Sequence, residues 1–298
     1  MATTRLARAK VNLFLHVGAL QADGYHPLSS LMTFADIGDV VTIADSAEFG
    51  FVVNGPFGAG LGDSADNLVL RARDDVAAAF RPGWSPFTLT LHKQLPIASG
   101  IGGGSADAAA AMRLMAERSG LDADAAGGRT LLQIAAALGS DVPVCLVGQA
   151  RLGQGRGDEL SAPPPFPDLP AVLANPLKAS PTGGVYRGYD DAGAPGNADA
   201  PAWPADLTSV EAVAAFLANC RNDLEAPAIA LQPAIAEVLA ALRGQPQTLL
   251  ARMSGSGATC FAICAGLAER DALAAAIAAE HSEWWVRPCL LAGSASQG

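Results

Sequence analysis

Lysine is scarce in this chain: Lys10, Lys93 and Lys178 are the only three in 298 residues. Base is outweighed by acid, 19 Lys and Arg against 29 Asp and Glu, for a net charge of −10. That balance argues against a nucleic-acid surface or an anionic membrane as main partner. An anionic small ligand stays compatible, because a local loop can hold one inside an acidic protein. Metal-ligating residues are few as well. The four histidines are scattered and form no ligand cluster. The five cysteines, at 145, 220, 260, 264 and 289, contain no Cys-x2-Cys pair. An odd number of unpaired cysteines predicts buried thiols in a reducing cytosol. There is no apolar run of transmembrane length and no leading signal sequence, so a cytoplasmic protein is expected. The Ala-rich stretch 226–241 is broken by Pro233 and Glu237.

Half of the residues are apolar, enough for a sizeable core in one large or two ordinary domains. The first part reads as strand-rich, with apolar alternation through Val11, Leu13 and Leu15, then Leu28, Leu31 and Phe34, then 40–43 and 49–53. A helix is expected after Asn67, a strand over 87–95, and a helix over 106–118. Another helix covers about 128–138 and ends at Gly139, which can terminate it in the left-handed region. The apolar run 142–147 then reads as a strand. The Pro-rich stretch 161–170 can continue neither a helix nor a central strand and reads as the connection between two lobes, 1–160 and 161–298. Beyond it, 171–173 reads as a strand and 190–206 as a long surface loop. Helices fit 208–219, 227–243 and 267–281; strands fit 248–253, 258–264 and 284–291.

The richest segment is Pro96-Ile97-Ala98-Ser99-Gly100-Ile101-Gly102-Gly103-Gly104-Ser105-Ala106. Strand, glycine loop and helix in succession present bare backbone N–H groups and a positive helix end to phosphate. Glycines let the main chain approach an anion and permit positive φ. Ser105 suits the helix N-cap, and its hydroxyl could also reach a phosphate or a metal ion. The loop is neither Walker A, since no Lys follows the glycines, nor a dinucleotide fingerprint, whose spacing differs. The plain alternative, a loose turn before a helix, is disfavoured by four glycines in five positions directly before a good helix.

Elsewhere the residues leave two readings open. Strand alternation puts Lys10 and Asn12 on one face, either an ordinary solvated face or a functional pair. Asp141 is either a turn residue or a base at the rim of a site. Asp23-Gly24-Tyr25-His26 is a turn followed by two rings suited to stacking and hydrogen bonding. Ser254-Gly255-Ser256-Gly257 is either a second backbone nest or a flexible hairpin.

Together these segments resemble the GHMP kinase superfamily. Its loop, Pro-x3-Gly-[Leu/Ile]-Gly-[Ser/Gly]-[Ser/Gly]-Ser-[Ser/Ala], is matched by Pro96 to Ala106. The resemblance narrows to its kinases of cytidine diphosphate methylerythritol through residues 9–15, 23–26 and 34–39, with 66–68, 139–143 and 253–258 in the same order. Ala106 stands where many members carry Ser, Asp107 where many carry Asn, and Ile101 where Leu is commoner.

The resemblance implies an α+β protein of two lobes. The N-terminal lobe would be like ribosomal protein S5 domain 2, the C-terminal lobe ferredoxin-like, and the site would lie between them. It implies ATP-dependent phosphorylation of the 2-hydroxyl of a cytidine-diphosphate sugar alcohol in the non-mevalonate isoprenoid pathway. Another GHMP kinase, or a silent nucleotide-binding protein of the same fold, are the alternatives. The implied roles fit phosphoryl transfer, which needs mostly positioning and charge stabilisation. Pro96, Gly100, Ile101, Gly102, Gly103, Gly104, Ser105 and Ala106 hold the ATP phosphates, with Mg²⁺ shared among their oxygens. Asp141 accepts the hydroxyl proton, and Lys10 keeps Asp141 ionised. Asn67 and Lys93 lie near the adenosine. Tyr25, His26 and Tyr186 form the cytidine pocket, and Asn12 lies on the substrate side. No nucleic-acid or membrane partner and no dedicated protein metal site are expected, Ser105 apart; the protein is expected as a monomer or weak homodimer.

Overall fold

The computed structural model describes residues 2–59, 61, 66–80, 84–120, 126–193 and 196–294. Ala194 and Pro195, in the expected surface loop, lie outside the described residues. The chain forms two compact units that are interleaved in sequence: residues 1–9, 37–97 and 102–148 in one, 10–36, 98–101 and 149–298 in the other. Two long strands, β1 (Thr3–Val17) and β2 (Leu28–Asp45), contribute residues to both. The separate apolar runs expected at 28–34 and 40–43 are thus one continuous strand.

In the first unit, β4 (Phe87–His92) pairs antiparallel with the second half of β2 and parallel with β3 (Gly50–Asn54). Its alternation is regular, with Phe87, Leu89 and Leu91 buried. Helix α1 (Leu68–Phe80) packs on α2 (Gly103–Arg118), and α3 (Ala126–Leu138) and α4 (Val142–Val147) complete this unit. Residues 106–112 of α2 are all buried, so the helix is enclosed on every side. Its alanines let neighbours approach closely.

The run 142–147 is a helix, not the expected strand. A short apolar run does not distinguish the two by periodicity. Pro143 sits in the first turn, where its missing N–H costs nothing, and Gly148 at φ 68° closes the helix. The expected left-handed terminator, Gly139, is not among the residues of positive φ.

The second unit contains β7 (Leu169–Asn175), α5 (Thr182–Asp191), α6 (Val210–Ala218), α7 (Glu225–Leu231), α8 (Ala234–Arg243), β8 (Thr248–Met253), β9 (Cys260–Cys264), α9 (Leu267–Glu280) and β10 (Trp285–Leu291). The strand order β10-β7-β9-β8, all neighbours antiparallel, with helices crossing between β7 and β8 and between β9 and β10, is the ferredoxin-like arrangement. One face carries a core of Val172, Ala174, Ile235, Leu239, Cys260 and Ile277 among others. The start of β2 pairs with β10 through Ala35 and Leu291 and with β5 (Arg151–Gln154), which pairs with β6 (Glu159–Ser161). The sequence had given no sign of β5, β6 or α5. The single helix expected over 227–243 is two, because Pro233 cannot serve an interior turn. All five cysteines are buried thiols, and burial pushes Cys220 and Cys264 up to about 11.

Candidate active site

The glycine loop is shaped by three left-handed residues, Ala98 (φ 50°), Gly100 (φ 76°) and Gly102 (φ 63°). A Cβ on Gly100 would lie 2.4 Å from the Ser254 carbonyl oxygen, so only glycine fits there. Ser254 Oγ donates to the Gly100 carbonyl at 2.9 Å and accepts from the Asn12 amide at 3.1 Å. The Lys10 amide donates to the Ile101 carbonyl, and the Thr259 amide to that of Ser99. Ser254–Gly257 is therefore the β8–β9 connection, packed on the glycine loop as its support. Asn222 Nδ2 holds it by donating to the carbonyls of Met253 and Gly255.

Helix α2 starts earlier than expected. Gly102 is its N-cap, and Ser105 is the third helical residue, a correction to the reading of Ser105 as the cap. Gly102 reaches the left-handed region that Ser105 would adopt only with strain, so the helix begins at the glycines. No side chain caps this N-terminus. The first-turn amides of Gly103, Gly104 and Ser105 thus meet no competing side-chain acceptor, and the helix dipole favours an anion there. Pro96, Ile101 and Ala106 are buried around the loop.

Three further candidates belong to the same unit as α2. Asn67 caps α1: its Oδ1 accepts from the Val69 amide at 3.0 Å. Asp141 is the residue before α4, half-buried, and its carboxylate makes no capping bond to that helix. Lys93 is buried; its ammonium donates to Asp107 at 2.8 Å and to Asp39. Burial draws the Lys93 ammonium down, but the charges of Asp107 and Asp39 outweigh it and leave it raised. Sequence reasoning missed both acids as partners. The signal was there, a lone charge in each of two apolar stretches, 37–41 and 106–112.

Lys10 and Asn12 lie in the other unit, and neither is solvated: each is only 4% exposed. The solvated-face reading of this pair is thereby overturned. Asn12 Nδ2 donates to Ser30 Oγ at 2.7 Å, while its Oδ1 is buried without a partner.

The same unit brings His26 and Tyr186 together, with ring centroids 5.2 Å apart. Tyr189 stands edge-on to His26 at 5.7 Å. His26 Nδ1 donates to the Gly18 carbonyl at 2.9 Å, since a carbonyl can only accept. Its Nε2 lies 3.3 Å from Asp190 Oδ1. Tyr25 is turned elsewhere: it is largely exposed, with the Arg156 guanidinium 4.0 Å over its ring. Asp23 holds Arg156 at 2.6 Å, and this hydrogen bond keeps the Asp23 carboxyl below its usual range. Tyr189 and Asp190 went unnoticed because α5, which carries them at three and four residues past Tyr186, went unnoticed.

Comparison with known proteins gives the family. Residues 67–149 match the GHMP kinases N terminal domain and residues 206–284 the GHMP kinases C terminal domain. A 4-diphosphocytidyl-2-C-methyl-D-erythritol kinase of Caulobacter vibrioides (strain NA1000 / CB15N) is 49% identical, over 98% of this chain and 100% of the relative. The chain belongs to the 4-diphosphocytidyl-2-C-methyl-D-erythritol kinase family of GHMP kinases. A second family member, of Caulobacter sp. (strain K31), is 50% identical over 96% of this chain and 97% of its own length. The crystal structure of a 4-(cytidine 5'-diphospho)-2C-methyl-D-erythritol kinase superposes with a TM-score of 0.76 at 30% identity, covering 98% of this chain and 100% of that one. Family membership makes the protein a kinase and its fold the two-lobed α+β GHMP kinase fold, as the sequence motifs implied. No helix among the described residues is long and apolar enough to cross a membrane.

Proposed function

We propose that this kinase transfers the γ-phosphoryl group of ATP to the 2-hydroxyl of 4-diphosphocytidyl-2-C-methyl-D-erythritol, a step in isoprenoid precursor synthesis. The observation that carries the choice of substrate is the hydrogen bond from His26 Nδ1 to the Gly18 carbonyl. It orients the ring so that Nε2 lies 3.3 Å from Asp190 Oδ1. The Asp190 carboxylate is an acceptor beside the ring. The exocyclic amine of cytosine can donate to such an acceptor. The matching carbonyl of uracil has no hydrogen and would leave two acceptors opposed. Tyr186, tilted against His26, supplies a face for the base.

The remaining roles follow from the chemistry. The uncapped N-terminus of α2 and the backbone from Pro96 to Ala106 bind the ATP phosphates, and Asn67 and Lys93 lie on the adenosine side. Asp141 takes the proton of the attacking hydroxyl, for which a carboxylate not spent on capping its own helix is suited. Lys10 supplies positive charge to the transferring group, and Asn12 lies on the substrate side. The donor set fits a Mg²⁺ ion carried by the phosphates. Ser105 offers one hydroxyl, and the described residues include no group of three acidic, His or Cys side chains that could hold a metal alone. Bound in this way, Mg²⁺ would neutralise phosphate charge. We read residues 1–160 as the catalytic lobe and 161–298 as the C-terminal lobe, working as a monomer or weak homodimer in the cytoplasm.

An ADP-release assay over a panel of alcohols tests the reading. The cytidine compound should be turned over far faster than methylerythritol phosphate or homoserine. Equal or faster turnover of either would assign the protein to another GHMP kinase activity.

A further inference from the structure

Three charged side chains are enclosed beneath the start of α2: Asp39 at 0% exposure, Asp107 at 2% and Lys93 at 3%. They join the two ends of the glycine loop. On the incoming side, the amides of Gln94 and Leu95 donate to Asp39 Oδ1 at 2.5 and 2.9 Å. On the outgoing side, Asp107 lies on α2, four residues past Gly103. Lys93 links the two by donating to Asp39 Oδ2 and to Asp107 Oδ2. A Cβ on Gly103 would stand 3.3 Å from Lys93 Nζ and 3.6 Å from Asp39 Oδ2, so the cluster directly underlies the first residue of the helix.

Two carboxylates and one ammonium leave a surplus negative charge out of reach of water. The acids are not equivalent. Asp39 accepts three hydrogen bonds, whereas Asp107 accepts one, and its buried Oδ1 has no partner. We propose that Asp39, Lys93 and Asp107 form a buried clamp on both ends of the glycine loop, in which Asp107 acts as a neutral carboxylic acid and thereby as a positioning residue for ATP. This rests on the reading of the loop as the ATP site. A neutral Asp107 removes the surplus charge from beneath the phosphates and matches the single bond it accepts.

Burial pushes the Asp107 carboxyl up to about 8; Lys93 opposes this and the charge of Asp39 adds to it. Lys93 and Asp39 are the charged groups that act on Asp107; α1 and α4, the helices in contact with α2, bury apolar residues, Val69, Ala72 and Val76 on the first and Val142 and Val144 on the second, and the charged partners brought to α2 by β1 and β2, Arg5 and Asp45, pair with Glu117 and Arg118 at its far end.

Calorimetric titration of ATP and of cytidine diphosphate, with melting temperatures, separates the possibilities for the unmodified protein, Asp107→Asn and Asp107→Ala. At about pH 7 the neutral isostere Asp107→Asn should bind ATP like the unmodified protein, and folded Asp107→Ala about tenfold more weakly, with cytidine diphosphate binding unchanged in both. Towards about pH 9 the unmodified protein should lose ATP affinity as Asp107 ionises, and Asp107→Asn should not. Asp107→Asn as weak as Asp107→Ala, or a shared pH dependence, would overturn the neutral acid. Unchanged ATP binding by Asp107→Ala would overturn the clamp alone. An unmodified protein that binds no ATP would overturn the nucleotide reading, and the clamp with it.

Discussion

The ring of His26 donates its Nδ1 proton to the carbonyl oxygen of Gly18, 2.9 Å away. That bond holds the ring with its Nε2 edge beside Asp190, the edge to which the proposed function assigns base recognition. Removal of that reader should change discrimination more than grip. His26→Ala should narrow the preference for the cytidine substrate over its uridine counterpart by about tenfold or more, the size of one unpaired buried polar group. Tyr186→Ala should weaken both substrates alike, because stacking on either pyrimidine is worth roughly 1–3 kcal/mol. kcat/KM for both compounds in each variant checks this; an unchanged preference in His26→Ala would remove His26 from base recognition.

Asp141→Asn should fold and fail to turn over. The Asp141 carboxylate makes no capping bond to α4, so Asn costs that helix nothing. Loss of a general base typically lowers the rate about 10²–10⁴-fold. Lys10→Ala should act similarly, and the double variant should lose less than the product of the two losses. Single-turnover rates on proteins with unshifted melting temperatures are the measurement.

Gly103→Val should weaken ATP far more than the cytidine ligand. Its branched side chain would crowd the Lys93 ammonium, 3.3 Å from the new Cβ, and displace the first residue of α2. Titration with each ligand in turn shows the split; equal losses would argue that the loop is not the phosphate site.

Gly100→Ala is a stability prediction. It combines a left-handed backbone with a Cβ 2.4 Å from the Ser254 carbonyl oxygen. The expected cost is about 1–3 kcal/mol, read from denaturant unfolding.

His16 should make the fold acid-sensitive. It is buried, its Nδ1 donates to the Asp199 carbonyl at 2.9 Å, and its Nε2 accepts from the Arg221 amide at 3.2 Å. The bond that Nε2 accepts requires the neutral ring, and burial holds the imidazole below its ordinary 6.5. The unfolded chain therefore takes up a proton first as pH falls. Stability is fully present above about pH 6.5 and is lost progressively below it, towards the lowered folded value. Melting temperatures from about pH 7.5 down to about pH 5 should fall less steeply for His16→Gln.

Local chemistry made part of this protein legible from its residues. The spacing of Gly100, Gly102, Gly103 and Gly104 between an apolar strand and an Ala-rich run announced a tight loop opening a helix. Conformation at a glycine is a local property, and Gly100 and Gly102 of that motif are both left-handed, whereas the positive φ of Ala98 beside them had no such signal. Alternation is regular in β4 for the same reason, since a strand's inward face has period two, whereas β8 and β9 were legible only as short apolar runs. The family motifs carried the kinase assignment.

Other features depended on partners far away in sequence. Lys93 had a place only by resemblance, near the adenosine, and its partners Asp39, 54 residues earlier, and Asp107, 14 residues later, came from the fold. His26 reads as a generic ring until Gly18, Tyr186 and Asp190 fix its proton and its neighbours. The run 142–147 became a helix because Gly148 closes it, not because its hydrophobicity says so. The sequence by itself determined the loop, the periodic elements and the family; the tertiary structure alone decided burial, protonation and pairing. The physical reason is range: backbone preference acts over a few residues, whereas desolvation and charge act through space on whatever the fold brings within a few ångströms.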